Sequence, residues 1–358
     1  MLLEENKPLA PFTTFGIGGP ARWFTEAASE DGVVEAAAWA RERGLALFVL
    51  GGGSNLLVSD AGFDGLVLRV GLRGIEATVP EQTDQLIYRA AAGEDWDAFV
   101  ERAVTDNCAG VECLAGIPGT VGGTPVQNVG AYGQEVASVI DRVRVFDLWE
   151  HAFVEFPAAD CGFAYRRSRF NSVDRGRYIV TRVDYRLTPG GAPTLRYADL
   201  ERAIAASRPD GWEGREPSLA EVAAVVRRLR QSKGMLLVEA DADCRSAGSF
   251  FKNPVVAEEQ LQHIAAVSGK EPPRFPAGSG SENLGRVKVP AAWLIEQAGF
   301  SKGYALGRAA VSSRHTLALV NLGGATSDEM MALANGISVA VESRFGVHLE
   351  MEPVMVGF

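Results

Sequence analysis

The sequence predicts a protein of the mixed α+β class. Helical and strand patterns alternate through roughly the first 200 residues, with a helix at 29–44, a strand at 45–50 and a helix at 95–107. The segments VRVFDLW and RYIVTRVDYRLTP then have the pattern of strands, and a second group of helices follows residue 217. Alternation of this kind is typical of layered α/β and α+β bodies.

The helices are placed by their caps and apolar faces. Ser29 caps the first helix and Gly44 ends it, while Ser218 and Glu221 form a capping box for a helix that begins after 217. Helix 290–298 has Pro290 at its start, and a long helix runs from about 327 to Gly346. The polar segment 206–217, which contains Pro and Gly, is typical of a linker between domains.

Composition excludes several classes of protein. The 358 residues hold 35 Lys and Arg against 45 Asp and Glu, and a net charge of −10 argues against nucleic-acid binding. No apolar run approaches the roughly 18 residues of a membrane span, and the N-terminus lacks the pattern of a signal peptide, so we expect a cytoplasmic protein. The four cysteines show no CxxC pair and are expected to be buried free thiols (108, 113, 161 and 244).

Glycine is enriched, with 40 residues, and falls into two clusters. The first, GGGSN at 51–55, follows a strand but lacks the GxGxxG spacing, so a tight hairpin turn explains it about as well as a phosphate-binding loop. The second, AGIPGTVGGTPVQNVGAYG at 115–133, contains two prolines that make a long helix improbable. An ordered loop of this length favours a nucleotide- or cofactor-binding role over a structural one.

Few residues offer catalytic chemistry. The four histidines show no metal-ligand spacing, and GxSxG and P-loop motifs are absent. If segment 248–254 is extended, Ser249 and Asn253 share a face with Phe251, although a strand edge with both Phe residues in the core is also possible. The segment YRRSRF at 165–170 fits a carboxylate or phosphate site and a solvated strand equally well.

Four motifs, in chain order, resemble those of the UDP-N-acetylenolpyruvoylglucosamine reductase family. They are IPGTVGGTPVQNVGAYG, YRRSRF, GSFFKNP and AAWLIEQAGF, and the resemblance runs from TFGIGGPARWF to the last strand. It implies a three-domain, PCMH/VAO-like FAD-binding fold. The implied domains are FAD-binding subdomain 1 at 1–72 completed by strand 347–358, FAD-binding subdomain 2 at 73–216, and a substrate-binding domain at 217–346.

The resemblance further implies noncovalent FAD, with NADPH as the hydride donor and a UDP-sugar as the substrate. Hydride reaches C3 of the enolpyruvyl group, and Ser249 looks like the general acid that protonates C2, while Arg166 and Glu352 look like the pair that polarises the carboxylate. The residues matching substrate-contacting positions are Tyr132, Tyr197, Lys233, Asn253 and Gln297. Those matching FAD contacts are Gly51, Gly52, Gly53, Ser54, Asn55, Ile117, Gly119, Thr120, Val121, Gly122, Gly123 and Thr124.

Two other functions are compatible with parts of the pattern. A sugar or alcohol oxidase of the same fold would favour a covalent His or Cys link to the flavin, and neither glycine loop contains His or Cys. A nucleotide-binding protein without catalysis would be expected to lack Ser249, Arg166 or Glu352, and all three are present. We expect no metal and a monomer.

Overall fold

The computed structural model describes residues 1–80, 85–207, 215–277 and 285–358. Most of the linker predicted at 206–217 therefore lies outside the described residues. The helices α1 to α7 are, in chain order, Glu30–Glu42, Trp96–Thr105, Ala198–Ala206, Leu219–Ser232, Glu258–Ser268, Ala291–Gln297 and Ser327–Phe345. The strands β1 to β20 are Glu4–Pro8, Pro20–Ala27, Ala46–Leu50, Leu56–Val58, Phe63–Val70, Ile75–Thr78, Leu86–Ala91, Cys108–Ala109, Gly130–Ala131, Gln134–Glu135, Ile140–Asp147, Ala152–Pro157, Tyr178–Pro189, Val255–Ala257, Phe275–Pro276, Arg286–Lys288, Ala305–Leu306, Ala309–Val311, Leu319–Asn321 and Val354–Val356.

The chain divides into two compact units, each made of several segments. The first unit comprises Met1–Lys7, Ala21–Gly53 and Asp64–Ser232, and the second comprises Pro8–Pro20, Ser54–Phe63 and Lys233–Phe358. The boundaries of the three domains expected from the sequence stay a prediction.

The described residues of the first unit form two larger sheets and the two-stranded hairpin β9–β10. One has the strand order β1-β2-β5-β3, and the other is an antiparallel sheet of order β12-β11-β13-β7-β6, with β8 pairing to β13. The prediction of helix α1 is confirmed, because it begins after Ser29, whose hydroxyl accepts a hydrogen bond from Gly32 N at 3.1 Å.

The α2 region of the first unit forms an aromatic core. Trp96, Phe99, Val100 and Ala103 all face inward, and their spacing is that of one face of a helix. Phe99 packs against Tyr185 of β13 at 4.7 Å between ring centroids, and Trp96 lies 5.4 Å from Phe99. This core supports the second glycine loop, because Tyr185 Oη lies 2.6 Å from Thr124 Oγ1.

The second unit has three small sheets and a helical layer. The sheets are β14-β16-β15, β17-β18-β19, and the parallel pair β20-β4 that joins the C-terminal strand to residues 56–58. Helix α7 begins at the capping box of Thr326 and Glu329 and ends at Gly346, which has a positive φ of 64°. These ends agree with the predicted helix from 327 to 346.

The cysteine prediction is confirmed, since all four thiols are free and buried. Burial raises the pKa of Cys161 to about 12, so this thiol stays protonated at neutral pH. Within the described residues, no helix has the length and apolar character that crossing a membrane requires.

Candidate active site

The two glycine loops meet in the first unit. A Cβ built on Gly52 would lie 2.5 Å from Gly119 Cα and 3.0 Å from Thr120 N, which is closer than real atoms approach. A Cβ on Gly51 would lie 2.9 Å from the hydroxyl oxygen of Thr120. The loops therefore pack backbone against backbone, and only glycine permits that approach at position 52. The structure also excludes the hairpin alternative for 51–55, because β3 pairs with β5 and β4 pairs with β20.

The backbone N–H groups of the two loops divide into those that bond within the protein and those that do not. Those of Val121, Gly122, Gly123 and Thr124 donate to carbonyl oxygens within the first unit, and Gly122 N reaches Ala92 O at 2.8 Å. Within the described ranges, no protein acceptor takes a hydrogen bond from the backbone N–H of Gly52, Gly53, Gly119 or Thr120.

This arrangement fits the pyrophosphate of a dinucleotide cofactor. Two stretches of backbone without side-chain bulk adjoin each other, and each contributes donors that make no internal bond. Concave arrays of backbone N–H groups are a common way of binding phosphate oxygens. Ile117, at the start of the second loop, packs partly buried against the core of the first unit.

A buried arginine supports the base of the second loop. Arg230 of α4 is only 8% exposed, and its Nε donates to Gly116 O at 2.9 Å. Gly116 N in turn donates to Asp97 Oδ1 at 2.6 Å. Burial lowers the pKa of Arg230, while the charges of Tyr132 and Asp97 oppose that shift and the charge of Arg166 adds to it. Two ionisable side chains thus bind the two backbone polar groups of Gly116.

Arg166 lies in a strained turn. Its φ is +54°, a left-handed conformation that few non-glycine residues adopt. Ala164 and Arg167 exchange backbone hydrogen bonds at 2.9 and 3.0 Å, and Asn171 Nδ2 donates to Arg166 O at 3.1 Å. The solvated-strand alternative for 165–170 is therefore wrong: the backbone turns here because Asn171 and Ser168 form a capping box.

Two polar residues tie this turn to the second glycine loop. Ser168 Oγ donates to Val126 O at 2.7 Å, and the buried Asn128 donates from Nδ2 to Ala164 O at 3.0 Å. Asn128 itself has a φ of +43°. The strain at Arg166 is thus held by contacts on both sides, which is the usual condition for a functional residue in an uncommon conformation.

The two tyrosines predicted to contact substrate lie together in the first unit. Tyr132 and Gly133 form the two-residue turn between β9 and β10, and both have positive φ, of 49° and 81°. The Tyr132 ring meets that of Tyr197 edge-on, at 5.6 Å between centroids. Burial raises the pKa of Tyr132 to about 12, so its hydroxyl is a hydrogen-bond donor at neutral pH. Tyr197 is 40% exposed.

Ser249 and Glu352 lie together in the second unit. Residue 249 forms an antiparallel bridge with Ala318, and its neighbour Phe250 donates from N to Leu317 O at 2.7 Å. Glu352 N donates to Phe250 O at 2.9 Å and Lys252 N donates to Glu350 O at 2.9 Å, so residues 350–352 run beside segment 250–252. Both phenylalanine rings are buried, and Ser249 and Glu352 are each half-buried. The main chain of Glu352 is therefore bonded to that of Phe250, the residue next to Ser249.

The remaining predicted residues of the second unit have structural contacts as well. Asn253 Oδ1 accepts from Ala291 N at 2.9 Å at the start of α6, so a substrate contact would use its amide NH₂ group. Gln297, at the end of α6, accepts from Lys270 Nζ at 3.1 Å. Asn55 donates from Nδ2 to Glu352 O at 3.1 Å, and Thr14 Oγ1 donates to Ser54 O at 3.4 Å.

Lys233 is the first residue of the segment Lys233–Phe358 of the second unit, and its positive charge acts on His315. Burial and the charges of Lys233 and Lys302 together lower the pKa of His315 to about 4, with Glu296 opposing them. Ala318 N donates to His315 O at 2.9 Å, so this neutral imidazole belongs to the loop that pairs with Ser249.

Sequence reasoning missed the residues that hold the site in place. Arg230 lies on the apolar stripe of α4, where only its charge within that stripe signalled a special role. Asn128 and Ser168 belong to the recognised motifs QNVG and YRRSRF, and the Asn-Val-Gly sequence is itself a signal for left-handed backbone.

Comparison with known proteins agrees with this geometry. A model of the FAD binding domain matches residues 21–150, a range that contains both glycine loops. A model of the UDP-N-acetylenolpyruvoylglucosamine reductase C-terminal domain matches residues 239–356, a range that contains Ser249 and Glu352. FAD is therefore the cofactor of this chain.

The similarity to curated relatives covers nearly the whole chain. UDP-N-acetylenolpyruvoylglucosamine reductase from Thermobifida fusca is 45% identical over 99% of this chain and 98% of its own length. The same enzyme from Streptomyces coelicolor is 45% identical over 99% of this chain and 90% of its own length. The crystal structure of UDP-N-acetylenolpyruvylglucosamine reductase from Thermus caldophilus superposes with a TM-score of 0.64 at 25% identity, over 99% of this chain and 100% of that one. By its fold, its paired glycine loops and its sequence, this chain belongs to the UDP-N-acetylenolpyruvoylglucosamine reductase family.

Proposed function

We propose that this chain reduces the enolpyruvyl group of UDP-N-acetylglucosamine enolpyruvate to UDP-N-acetylmuramate, a step in peptidoglycan precursor synthesis. NADPH is the hydride donor. The observation that carries the proposal is the full-length similarity to reductases of this name, in a chain whose two glycine loops adjoin with donors left for a cofactor phosphate. When bound, FAD supplies the two-electron relay between NADPH and the enolpyruvyl carbon.

Arg166 and Glu352 prepare the substrate for hydride addition. When hydride reaches C3 of the enolpyruvyl group, negative charge develops on C2 and its carboxylate. A guanidinium binds a carboxylate through paired hydrogen bonds. The strained turn at Arg166 fixes the backbone position from which its guanidinium reaches the substrate carboxylate. Glu352 polarises the enol ether, and its backbone is held in place by hydrogen bonds to Phe250 O and from Asn55 Nδ2.

Ser249 delivers the proton that completes the reaction at C2. A hydroxyl is a weak acid, so its proton must be replaced at once from a neighbouring group or water. The half-buried position of Ser249 leaves one side open for such replacement, and its backbone is fixed by the bonds of Phe250. One NADPH, one proton and one enolpyruvyl substrate thus give NADP⁺ and the lactyl product.

The other predicted residues bind the nucleotide parts. We infer that Tyr132 and Tyr197 cover the UDP-sugar, and that Lys233, Asn253 and Gln297 contact its phosphates and polar groups. The net charge of −10 requires local cations such as Lys233, because the substrate and NADPH are both anionic. We further propose that the chain works as a monomer in the cytoplasm, with the three-domain division of roles described above.

An anaerobic absorbance titration tests the proposed function. Adding NADPH to the FAD-loaded protein should bleach the flavin spectrum, and adding the enolpyruvyl UDP-sugar should restore it. Recovery only on admission of oxygen would contradict the proposal and favour an oxidase.

The Ser249→Ala variant tests the proton donor. Flavin reduction by NADPH should stay within about twofold of the unmodified protein, while reoxidation by the UDP-sugar should slow about 10²- to 10⁴-fold. Ser338→Ala is the matched control, because the Ser338 hydroxyl lies buried in α7 of the same unit without a hydrogen-bond partner among the described residues. Equal loss of both half-reactions in Ser249→Ala would refute the assigned role.

A further inference from the structure

A fully buried carboxylate lies close to the tyrosine pair. Glu112 is 0% exposed and forms no ion pair within the described part of the chain. Its Oε2 accepts from Gly110 N at 2.8 Å, and its Oε1 accepts from Thr194 N at 2.7 Å and from Gln134 Nε2 at 3.1 Å. A buried charge is costly unless neighbouring donors hold it, so these bonds define one geometry.

Thr194 is held through all of its polar groups. Besides its N–H bond to Glu112, its Oγ1 accepts from Gln134 Nε2 at 3.2 Å and its carbonyl accepts from Cys113 Sγ at 3.2 Å. Gln134 is fixed in turn, because its Oε1 accepts from Cys113 N at 2.9 Å. We name Glu112, Gln134 and Thr194 the loop clasp. It anchors the segment 190–197, which has no regular secondary structure, to the β9–β10 hairpin.

The contacts continue from the clasp to the tyrosines. Next to the Gln134–Thr194 pair, a Cβ on Gly133 would lie 3.1 Å from Arg196 Cβ, so the two backbones are close. The next pair is Tyr132 and Tyr197, whose rings are perpendicular to each other. Thr194, three residues before Tyr197, thus connects its segment to the buried side chains of Glu112 and Gln134.

We infer that the loop clasp positions Tyr197 over Tyr132 and thereby sets the affinity for the UDP-sugar. Glu112 and Thr194 act as positioning residues, since neither is exposed at the tyrosine pair. The inference rests on the proposed function, in which the tyrosines cover the substrate nucleotide. Its consequence is that the segment 190–197 is already ordered before the substrate binds, so less conformational entropy is lost on binding.

Thr194→Val removes the hydroxyl acceptor and keeps the size of the side chain and both backbone bonds. We expect the dissociation constant of the enolpyruvyl UDP-sugar, measured by perturbation of the flavin spectrum, to rise about 5- to 20-fold, as for the loss of one buried hydrogen bond. The rate of flavin reduction by NADPH should be unchanged. Glu112→Gln, which places an amide NH₂ against N–H donors, should have a larger effect of the same kind.

Thr181→Val is the control, because it makes the same substitution at a buried threonine of the same unit. Its Oγ1 donates to Glu30 Oε1 at 2.8 Å, and it belongs to neither tyrosine segment. This variant should bind the UDP-sugar as the unmodified protein does. An equal loss of affinity in Thr181→Val and Thr194→Val would overturn the inference, because it would reflect general destabilisation.

A double-mutant cycle with Tyr197→Ala tests whether the clasp acts through the tyrosine. Without the Tyr197 ring, Thr194→Val should weaken binding by less than about twofold, since the interaction that it perturbs is gone. Fully additive effects would refute the inference while leaving the reaction intact. A protein whose flavin the UDP-sugar does not reoxidise would instead overturn the proposed function itself.

Discussion

The contact between the two glycine loops can be tested by adding a single carbon atom, the Cβ of an alanine at position 52. Gly52→Ala places a Cβ 2.5 Å from Gly119 Cα and 2.8 Å from Gly119 C, where ordinary van der Waals contact begins at 3.4 Å. The atoms in the way are backbone, so the strain cannot be relieved by turning a side chain. The loops must separate by about 1 Å, and strain of this kind costs about 1 to 3 kcal/mol.

The same displacement weakens FAD binding. Hydrogen bonds from N–H to oxygen are made at about 2.7 to 3.2 Å, so donors moved by about 1 Å lose at least one phosphate contact. A hydrogen bond to a charged group contributes about 1.5 to 3 kcal/mol, which corresponds to a loss of about 10- to 100-fold in FAD affinity. Titration of the apoprotein with FAD, followed by flavin fluorescence, measures this loss, and urea unfolding of the apoprotein measures the strain.

Gly123→Ala is the matched control in the second glycine loop. A Cβ at position 123 meets no atom within 4 Å, and its φ is not positive, so the apoprotein should keep its stability to within about 0.5 kcal/mol. Its FAD affinity should stay well above that of Gly52→Ala. If Gly52→Ala binds FAD as tightly as the unmodified protein, the contact between the loops does not position the phosphate donors and the reasoning fails.

Two further predictions concern the second unit. The pKa of His315 in the folded protein, about 4, lies below its usual 6.5, so the unfolded chain binds one more proton and stability falls as the pH drops from 6.5 towards 4. His315→Gln should reduce the pH dependence of the unfolding free energy in this range by about one proton. An unchanged pH dependence would contradict burial as a neutral imidazole. Gly336 lies exposed within α7 with open space at its Cβ, so Gly336→Ala should stabilise the second unit by about 1 kcal/mol in urea unfolding without altering flavin reduction, and destabilisation would argue against a regular helix there.

The helices were predictable because their signals are local. Ser29, the capping box of Ser218 and Glu221, and Gly346 each act within four residues of the helix end that they define. The inward face of α2 follows in the same way from helical spacing alone. Such signals can be recognised in a single sequence because they depend only on neighbouring residues along the chain.

The candidate site was predictable only where a motif carried it. Segment 248–254 and the last strand were both expected to be extended, yet only the fold shows that Glu352 N bonds Phe250 O across 102 residues of sequence. The contact of Gly52 with Gly119, and the turn at Arg166, also depend on packing between distant segments. Periodicity carries no information about such pairings, so the residues that hold the turn in place escaped prediction.

The residues found from motifs and the residues that sequence reasoning missed have different physical roles. Groups that we propose to meet the substrate, such as Tyr132 and Arg166, lie in left-handed backbone that is costly by itself. Their conformations persist because buried polar groups bond to the adjoining segments, with Asn128 donating to Ala164 O and Glu112 accepting from Gln134 Nε2. Removing a support should therefore shift ligand affinity before it removes chemistry. The clasp variants and Ser249→Ala should thus separate cleanly, the first in the substrate dissociation constant and the second in the rate of reoxidation.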